Sequence, residues 1–305
     1  MISFNMMDPL MKALRAANQS KVGQTELSEE DLKKERASVE LASKLATPPV
    51  GVSAKPFTVG NISAEWISPD YAHDTQHVIL YNHGGGYTSG GLGYARILAA
   101  KLALHTGIEV LSYEYRLAPE NPYPAAFEDG MVMWDYLMHQ GYGASNVIMA
   151  GDSAGGNLTL ELTLALKEQN RKLPKALVLF SPWTDMTATS ESYSIHASDD
   201  PILTYDYIIT VRNAYVGADA DFTDPHLSPL FADLKGFPPT LIQVGTNEVL
   251  LDDSIKLHDK LKQEGCSAII QEYPDGWHVF QQMPLPMSVQ AVRDAAKYIH
   301  SIIYH

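Results

Sequence analysis

The stretch NVIMAGDSAGGN, residues 146–157, decides the fold. Residues 146–150 form a run of strand length that is apolar from Val147 onward, and the run GGNLTLELTLALKEQ, residues 155–169, reads as a helix. Between them Gly151, Asp152, Ser153, Ala154 and Gly155 spell Gly-x-Ser-x-Gly. A strand that turns this sharply into a helix sets Ser153 at the strand's carboxyl edge in a strained backbone, with small neighbours because larger ones would collide with the adjoining strand and helix. The helix N-terminus, Ala154 included, aims free N–H groups at charge developing beside the serine. Chance alone gives about 0.1 such pentapeptides in a chain of this length, so it is the strand before and the helix after that make Ser153 a candidate nucleophile.

Seventy residues upstream, HVILYN (77–82) is followed by His83, Gly84, Gly85, Gly86 and Tyr87. Three consecutive glycines leave backbone N–H groups bare enough to approach a substrate oxygen, as an oxyanion-binding loop requires. A phosphate cradle would need Gly-Lys-Ser/Thr to follow, and it does not. Gly84, Gly85, Gly86 and Ala154 are the candidate oxyanion donors. His83 reads as a hydrogen-bonding residue of the loop rather than a base.

The rest of the chain alternates short apolar runs with longer helical ones, the pattern of an α/β sheet domain. Eight strands are predicted: PFTV (56–59), ISAEWIS (62–68), HVILYN (77–82), IEVLSYEY (108–115), NVIMA (146–150), ALVLF (176–180), TLIQV (240–244) and AIIQEY (268–273). Helices are predicted at 93–106, about 125–140, 155–170, about 249–264 and from Ser288 onward. Residues 1–46 also read as helical: Met7, Leu10, Met11 and Leu14 recur at helical spacing, and Ser28 precedes Asp31 as in a capping box. TPPVG (47–51) then breaks the pattern. The polar, turn-rich stretch at about 186–225 interrupts the alternation and reads as a cap or lid segment.

Composition narrows the function classes. Lys plus Arg total 22 against 36 Asp plus Glu, a net charge of −14 that repels nucleic acid and anionic lipid. No segment reaches the ~18 apolar residues of a membrane span, and the first residues lack a basic lead into an apolar run. A soluble cytoplasmic protein is the expectation. The single cysteine, Cys266, excludes an internal disulfide framework and reads as packing.

HGGGYTSGG, YEYRLAPENPYPAAFED, GDSAGGN, SPWTD, HLSPL and DGWHVF, in that order, resemble the hormone-sensitive-lipase-like branch of bacterial esterases, over nearly everything from about residue 57 onward. The resemblance implies an α/β-hydrolase fold: a mostly parallel eight-stranded sheet flanked by helices, with a helical cap built partly from residues 1–46 and from the insertion at about 186–225, on a catalytic domain spanning 47–305. It implies a Ser, acid, His triad, no cofactor and no metal. Homodimers are frequent among similar proteins.

Carried over residue by residue, the serine is Ser153 and the base is His278, which also stands where this fold delivers its base, after the last strand and before the last helix. His226 and His258 have no such setting. The acid departs from the family's usual Asp-Pro-Leu pattern, because this chain reads GTNEVLLDDS and Glu248 falls at the Asp position. A glutamate can still accept from the imidazole N–H, with one more methylene of reach. Asn247 lacks the charge, while Asp252 and Asp253 remain alternatives that serve equally well as first-turn helix partners.

Tyr87, Trp183, Trp277 and Phe280 are the candidate pocket residues, as the resemblance suggests, and Trp183 fits core packing equally well. The expected activity is hydrolysis of short to medium acyl esters, with a small-molecule ester as the partner. An amide hydrolase using the same triad and a non-catalytic binding module of the same fold are the alternatives. The binding module is disfavoured because Ser153 and His278 are both present.

Overall fold

The computed structural model describes residues 27–46 and 49–304. The expected helical pattern at Met7, Leu10, Met11 and Leu14 lies outside the described residues. Among the described residues, eight strands form one sheet in the order β1-β2-β4-β3-β5-β6-β7-β8. They are β1 (Val52–Val59), β2 (Ile62–Pro69), β3 (Asp74–Asn82), β4 (Ile108–Tyr113), β5 (Val147–Asp152), β6 (Ala176–Phe180), β7 (Thr240–Gly245) and β8 (Ala268–Tyr273). β1 and β2 pair antiparallel, as do β2 and β4, and every other pair is parallel.

Eight α-helices accompany them among the described residues: α1 (Glu29–Leu45), α2 (Leu92–Thr106), α3 (Ala125–His139), α4 (Ala154–Glu168), α5 (Ser192–Ile195), α6 (Tyr205–Val216), α7 (Leu251–Gln263) and α8 (Pro286–Ile303). Strand alternation divides the core into two layers. Val78 and Leu80 of β3 face a cluster with Trp134 of α3, Leu162 of α4 and Leu257 of α7. Ile79 and Tyr81 face the opposite layer, where Leu98 of α2 and Ile299 of α8 pack. α4 is buried on all sides from Ala154 to Leu166, which explains why its sequence shows no polar face. No described helix is long and apolar enough to cross a membrane.

The differences from the sequence expectations have local causes. β1 runs four residues further toward the N-terminus than PFTV because Pro56 sits on an edge strand, paired on one side only, where its missing N–H costs no ladder bond. β4 stops at Tyr113, short of the expected end at residue 115. Ser28 does cap α1, accepting the Asp31 N–H at 3.1 Å and donating to the Asp31 carboxylate at 2.5 Å. α6 was not predicted. Thr204 caps it, and its buried Ile208, Val211 and Tyr215 recur at i, i+3, i+7, a signal present in the sequence but embedded in a turn-rich stretch.

Candidate active site

The carboxyl ends of β3, β5, β7 and β8 deliver the glycine loop, Ser153, Glu248 and His278 to one edge of the sheet, the place where open α/β sheets bind ligands. Ser153 holds φ 54° and ψ −122° at the N-cap of α4. Its backbone is fixed on both sides: its N–H donates to the Phe180 carbonyl at 2.9 Å and its carbonyl accepts from Trp183 N–H at 3.1 Å. The flanking glycines permit the turn. A Cβ at Gly151 would lie 2.2 Å from the Gly155 carbonyl oxygen, and one at Gly155 would lie 2.0 Å from that of Asn82.

His278 Nε2 lies 2.9 Å from Ser153 Oγ, and His278 Nδ1 lies 3.3 Å from Glu248 Oε2. The three side chains are buried, with Ser153 8% exposed. Glu248 Oε1 accepts the Gly245 N–H at 3.2 Å. Burial pushes the His278 imidazole down, toward its uncharged form, and pushes the Glu248 carboxyl up, opposed by hydrogen bonds from Ser181 and the Gly245 N–H that favour the carboxylate. At neutral pH the imidazole is therefore ready to accept a proton from the serine. The alternative carboxylates are engaged elsewhere: Asp252 Oδ2 accepts the Ser192 N–H at 3.0 Å, and Asp253 Oδ2 accepts those of Thr184 and Asp185 at 2.8 and 3.0 Å. His226 faces Glu168, and His258 faces Asp259.

Among the described residues, the N–H groups of Gly85, Gly86 and Ala154 have no hydrogen-bond partner. Gly84 corrects the expectation. Its N–H donates to Asp152 Oδ1 at 2.9 Å and is not available to a substrate. Asp152, fully buried beside Ser153, also accepts from Tyr81 Oη at 2.6 Å and Tyr94 Oη at 2.5 Å, so it clamps the glycine loop to β5. Burial lowers the His83 pKa to about 4, and the neutral ring donates from Nδ1 to the Gly84 carbonyl at 2.7 Å.

A cavity of about 330 Å³ opens over Ser153 and His278. Gly85 and Gly86 form part of its floor, α1 contributes Glu35 and Val39, and α6 contributes Tyr207 and Ile208. Of the four expected pocket residues only Trp183 lines it. Tyr87 turns inward at φ 62°, stacks on Tyr215 at 3.8 Å and donates to Asn157 Oδ1 at 2.7 Å. Trp277 and Phe280 pack in a separate cluster with Leu285 and Ala291. A larger groove of about 540 Å³ between α1 and α2 contains none of Ser153, Glu248 and His278.

Two further residues make hydrogen bonds next to the cavity over Ser153 and next to His278. Asp200, in the segment between α5 and α6, is buried and accepts the Ile202 and Leu203 N–H groups at 2.9 and 3.1 Å. Lys101 of α2 donates to the carbonyls of Gln281, Gln282 and Met283 at 2.7, 2.9 and 3.1 Å, pinning the chain that follows His278. Neither carries a motif that sequence reading could use.

The family model of the α/β hydrolase fold matches residues 79–282. An esterase of Acinetobacter venetianus is 37% identical over 253 residues, covering 82% of this chain and 83% of its own. An acetyl-hydrolase of Streptomyces hygroscopicus is 34% identical over 264 residues, 86% of each chain. A solved esterase of the bacterial hormone-sensitive lipase family superposes with a TM-score of 0.89 at 32% identity, covering 99% of this chain and all of that one. On sequence and structure together, this chain belongs to the α/β hydrolase fold family, on its hormone-sensitive-lipase-like esterase branch.

Proposed function

We propose that this protein hydrolyses short to medium carboxylic esters through Ser153, His278 and Glu248 and an acyl-enzyme intermediate. The observation that carries the reading is the 2.9 Å approach of His278 Nε2 to Ser153 Oγ, next to three unpartnered backbone N–H groups. Ser153 Oγ attacks the ester carbonyl as its proton passes to His278 Nε2, and the N–H groups of Gly85, Gly86 and Ala154 hold the oxyanion. Collapse breaks the C–O bond, and the alcohol leaves with the proton that His278 returns. Water repeats the cycle and releases the acid. Glu248 accepts from His278 Nδ1 throughout and stabilises the imidazolium formed at each transfer.

The 330 Å³ cavity and the acetyl-hydrolase name of a relative support small acyl groups. In this reading residues 1–46 and about 186–225 form a cap on the catalytic domain 47–305, in keeping with α1 and α6 lining the cavity. Reaction with a fluorophosphonate tests nucleophile, base and oxyanion donors together: the adduct is expected on Ser153, and Ser153→Ala is expected to abolish it. Labelling elsewhere, or near-normal turnover of p-nitrophenyl butyrate by Ser153→Ala, overturns the reading. Amide analogues of the same acyl groups are expected to turn over more slowly than the esters.

A further inference from the structure

One carboxylate stands in the wall of the cavity over Ser153 with no evident part in the chemistry. Glu35 of α1 is half-buried there and accepts two hydroxyl donors on one oxygen, Oε1: Tyr207 Oη at 2.6 Å and Ser89 Oγ at 3.1 Å. Its second oxygen has no donor among the described residues. No lysine or arginine is among the described residues lining the cavity. The adjacent Arg36 is directed elsewhere, to Glu120 and to the carbonyls of Thr88 and Ala118. Since burial shifts His278 toward its neutral form, Glu35 supplies the formal charge among the described residues of this wall.

A carboxylate that borders an apolar cavity loses hydration without gaining a counter-ion, and a ligand that brings the counter-ion recovers that loss. The other lining groups suit the same ligand. Tyr94, Trp183 and Tyr207 contribute aromatic side chains, whose faces attract ammonium groups. The net charge of −14 also raises the local concentration of cations and lowers that of anions.

We propose that the site selects esters bearing a cationic nitrogen at the end remote from the reacting carbonyl, held by Glu35, and discriminates against anionic esters. The cation takes no part in bond making. It contributes affinity, and the two-step hydrolysis at Ser153 is unchanged. The inference rests on the ester-hydrolase reading above and names the substrate class of that same site. Because Glu35 also ties α1 to Tyr207 and Ser89, loss of activity in a variant would not separate recognition from support. The ratio between two substrates of one shape and different charge does.

Two such pairs cover both ends of the ester. One is butyrylcholine against its carbon isostere, in which tert-butyl replaces trimethylammonium. The other is the p-nitrophenyl ester of trimethylammonio-butyric acid against its tert-butyl isostere. In at least one pair kcat/KM is expected to favour the cation by about tenfold at low salt. The ratio is expected to fall toward one in Glu35→Gln and, in the unmodified protein, at about 0.5 M salt. A ratio of one or below in both pairs overturns the inference, and so does a preference that survives in Glu35→Gln. Turnover of the neutral esters without charge discrimination condemns this inference alone, whereas no turnover of either neutral ester condemns the hydrolase reading beneath it.

Discussion

Asp200 and Val249 are joined by a hydrogen bond of 3.1 Å, the Val249 N–H donating to Asp200 Oδ2. Val249 directly follows Glu248, so a residue from the α5–α6 segment anchors the loop that carries the carboxylate facing His278. The other oxygen of Asp200 holds Ile202 and Leu203, both in the cavity wall. Burial raises the Asp200 pKa to about 6, and the nearby Glu248 adds to the rise. Asp200→Asn sets an amide NH₂ where one acceptor oxygen stood, so one of the two tethers meets a donor instead. We expect kcat to fall about tenfold to a hundredfold through misplacement of the site. Unchanged kcat in a folded variant would show that the tether is dispensable.

The identity of the acid makes a sharper prediction. Glu248→Gln keeps the size of the side chain and removes the charge that stabilises the imidazolium, and a loss of about 10⁴ in kcat is expected. Asp252→Asn touches only the bond to Ser192 and should leave kcat within a few-fold. Asp253→Ala removes the one oxygen that accepts both the Thr184 and Asp185 N–H groups, and should lower stability by about 1–3 kcal/mol with little effect on the chemical step. Denaturant midpoints and kcat for all three variants decide the matter, and the assignment fails if Asp252→Asn is the most damaging to turnover.

What the sequence made legible was local. Strand-turn-helix at Ser153 and the triple glycine each fit within a dozen residues, and the steric demands of their turns leave a mark on residue choice. The strands followed from runs of buried side chains, because a sheet covered on both faces imposes apolarity on consecutive residues. Contacts made by a single side chain across many residues left no such mark. Asp200 reaches Val249 only after the segment between β6 and β7 folds back, and the commitment of the Gly84 N–H depends on Asp152 from a different strand. Tyr87, Trp277 and Phe280 illustrate the converse: closeness to a motif along the chain says nothing about which way a ring turns once the backbone reverses.

The proposed oxyanion role of the glycine loop can be tested without touching a side chain. Gly85 has φ +111°, and a Cβ there would lie 2.2 Å from the Ser89 carbonyl oxygen, so Gly85→Ala must displace the backbone that presents its own N–H and that of Gly86. Loss of one well-placed donor costs about 10²–10³ in kcat, with KM changing much less. A variant that raises KM and keeps kcat would place these N–H groups in ground-state binding instead.

Lys101 predicts an effect at a distance. Its ammonium donates to three successive carbonyls just beyond His278. Lys101→Met keeps much of the stem's packing and leaves those acceptors without the donor. Stability should drop by about 1–3 kcal/mol, and kcat should fall as the base loses its fixed position. Lys101→Arg, which restores charge and donors, should recover part of both. Equal failure of the two variants would reduce Lys101 to a packing residue.

The pH dependence of turnover follows from the groups around His278. In the proposed mechanism Ser153 is activated by a neutral imidazole, so activity is expected to rise as His278 loses its proton. Burial is the largest influence and lowers its pKa, opposed by the negative charges of Asp200 and Asp152. Glu248, 3.3 Å away and itself pushed upward by burial, makes the acid limb a property of the pair rather than of one ring. Since desolvation dominates, the limb of kcat/KM should have its midpoint below the ordinary histidine value of about 6.5, with the protein already on its plateau at neutral pH. Asp200→Asn removes a charge that favours imidazolium, so the midpoint should move lower still, even as kcat declines. Profiles of kcat/KM for p-nitrophenyl butyrate from about pH 4.5 to 8.5 measure both effects. A midpoint above 7, or a shift to higher pH in Asp200→Asn, would mean that the carboxylates rather than burial govern the base.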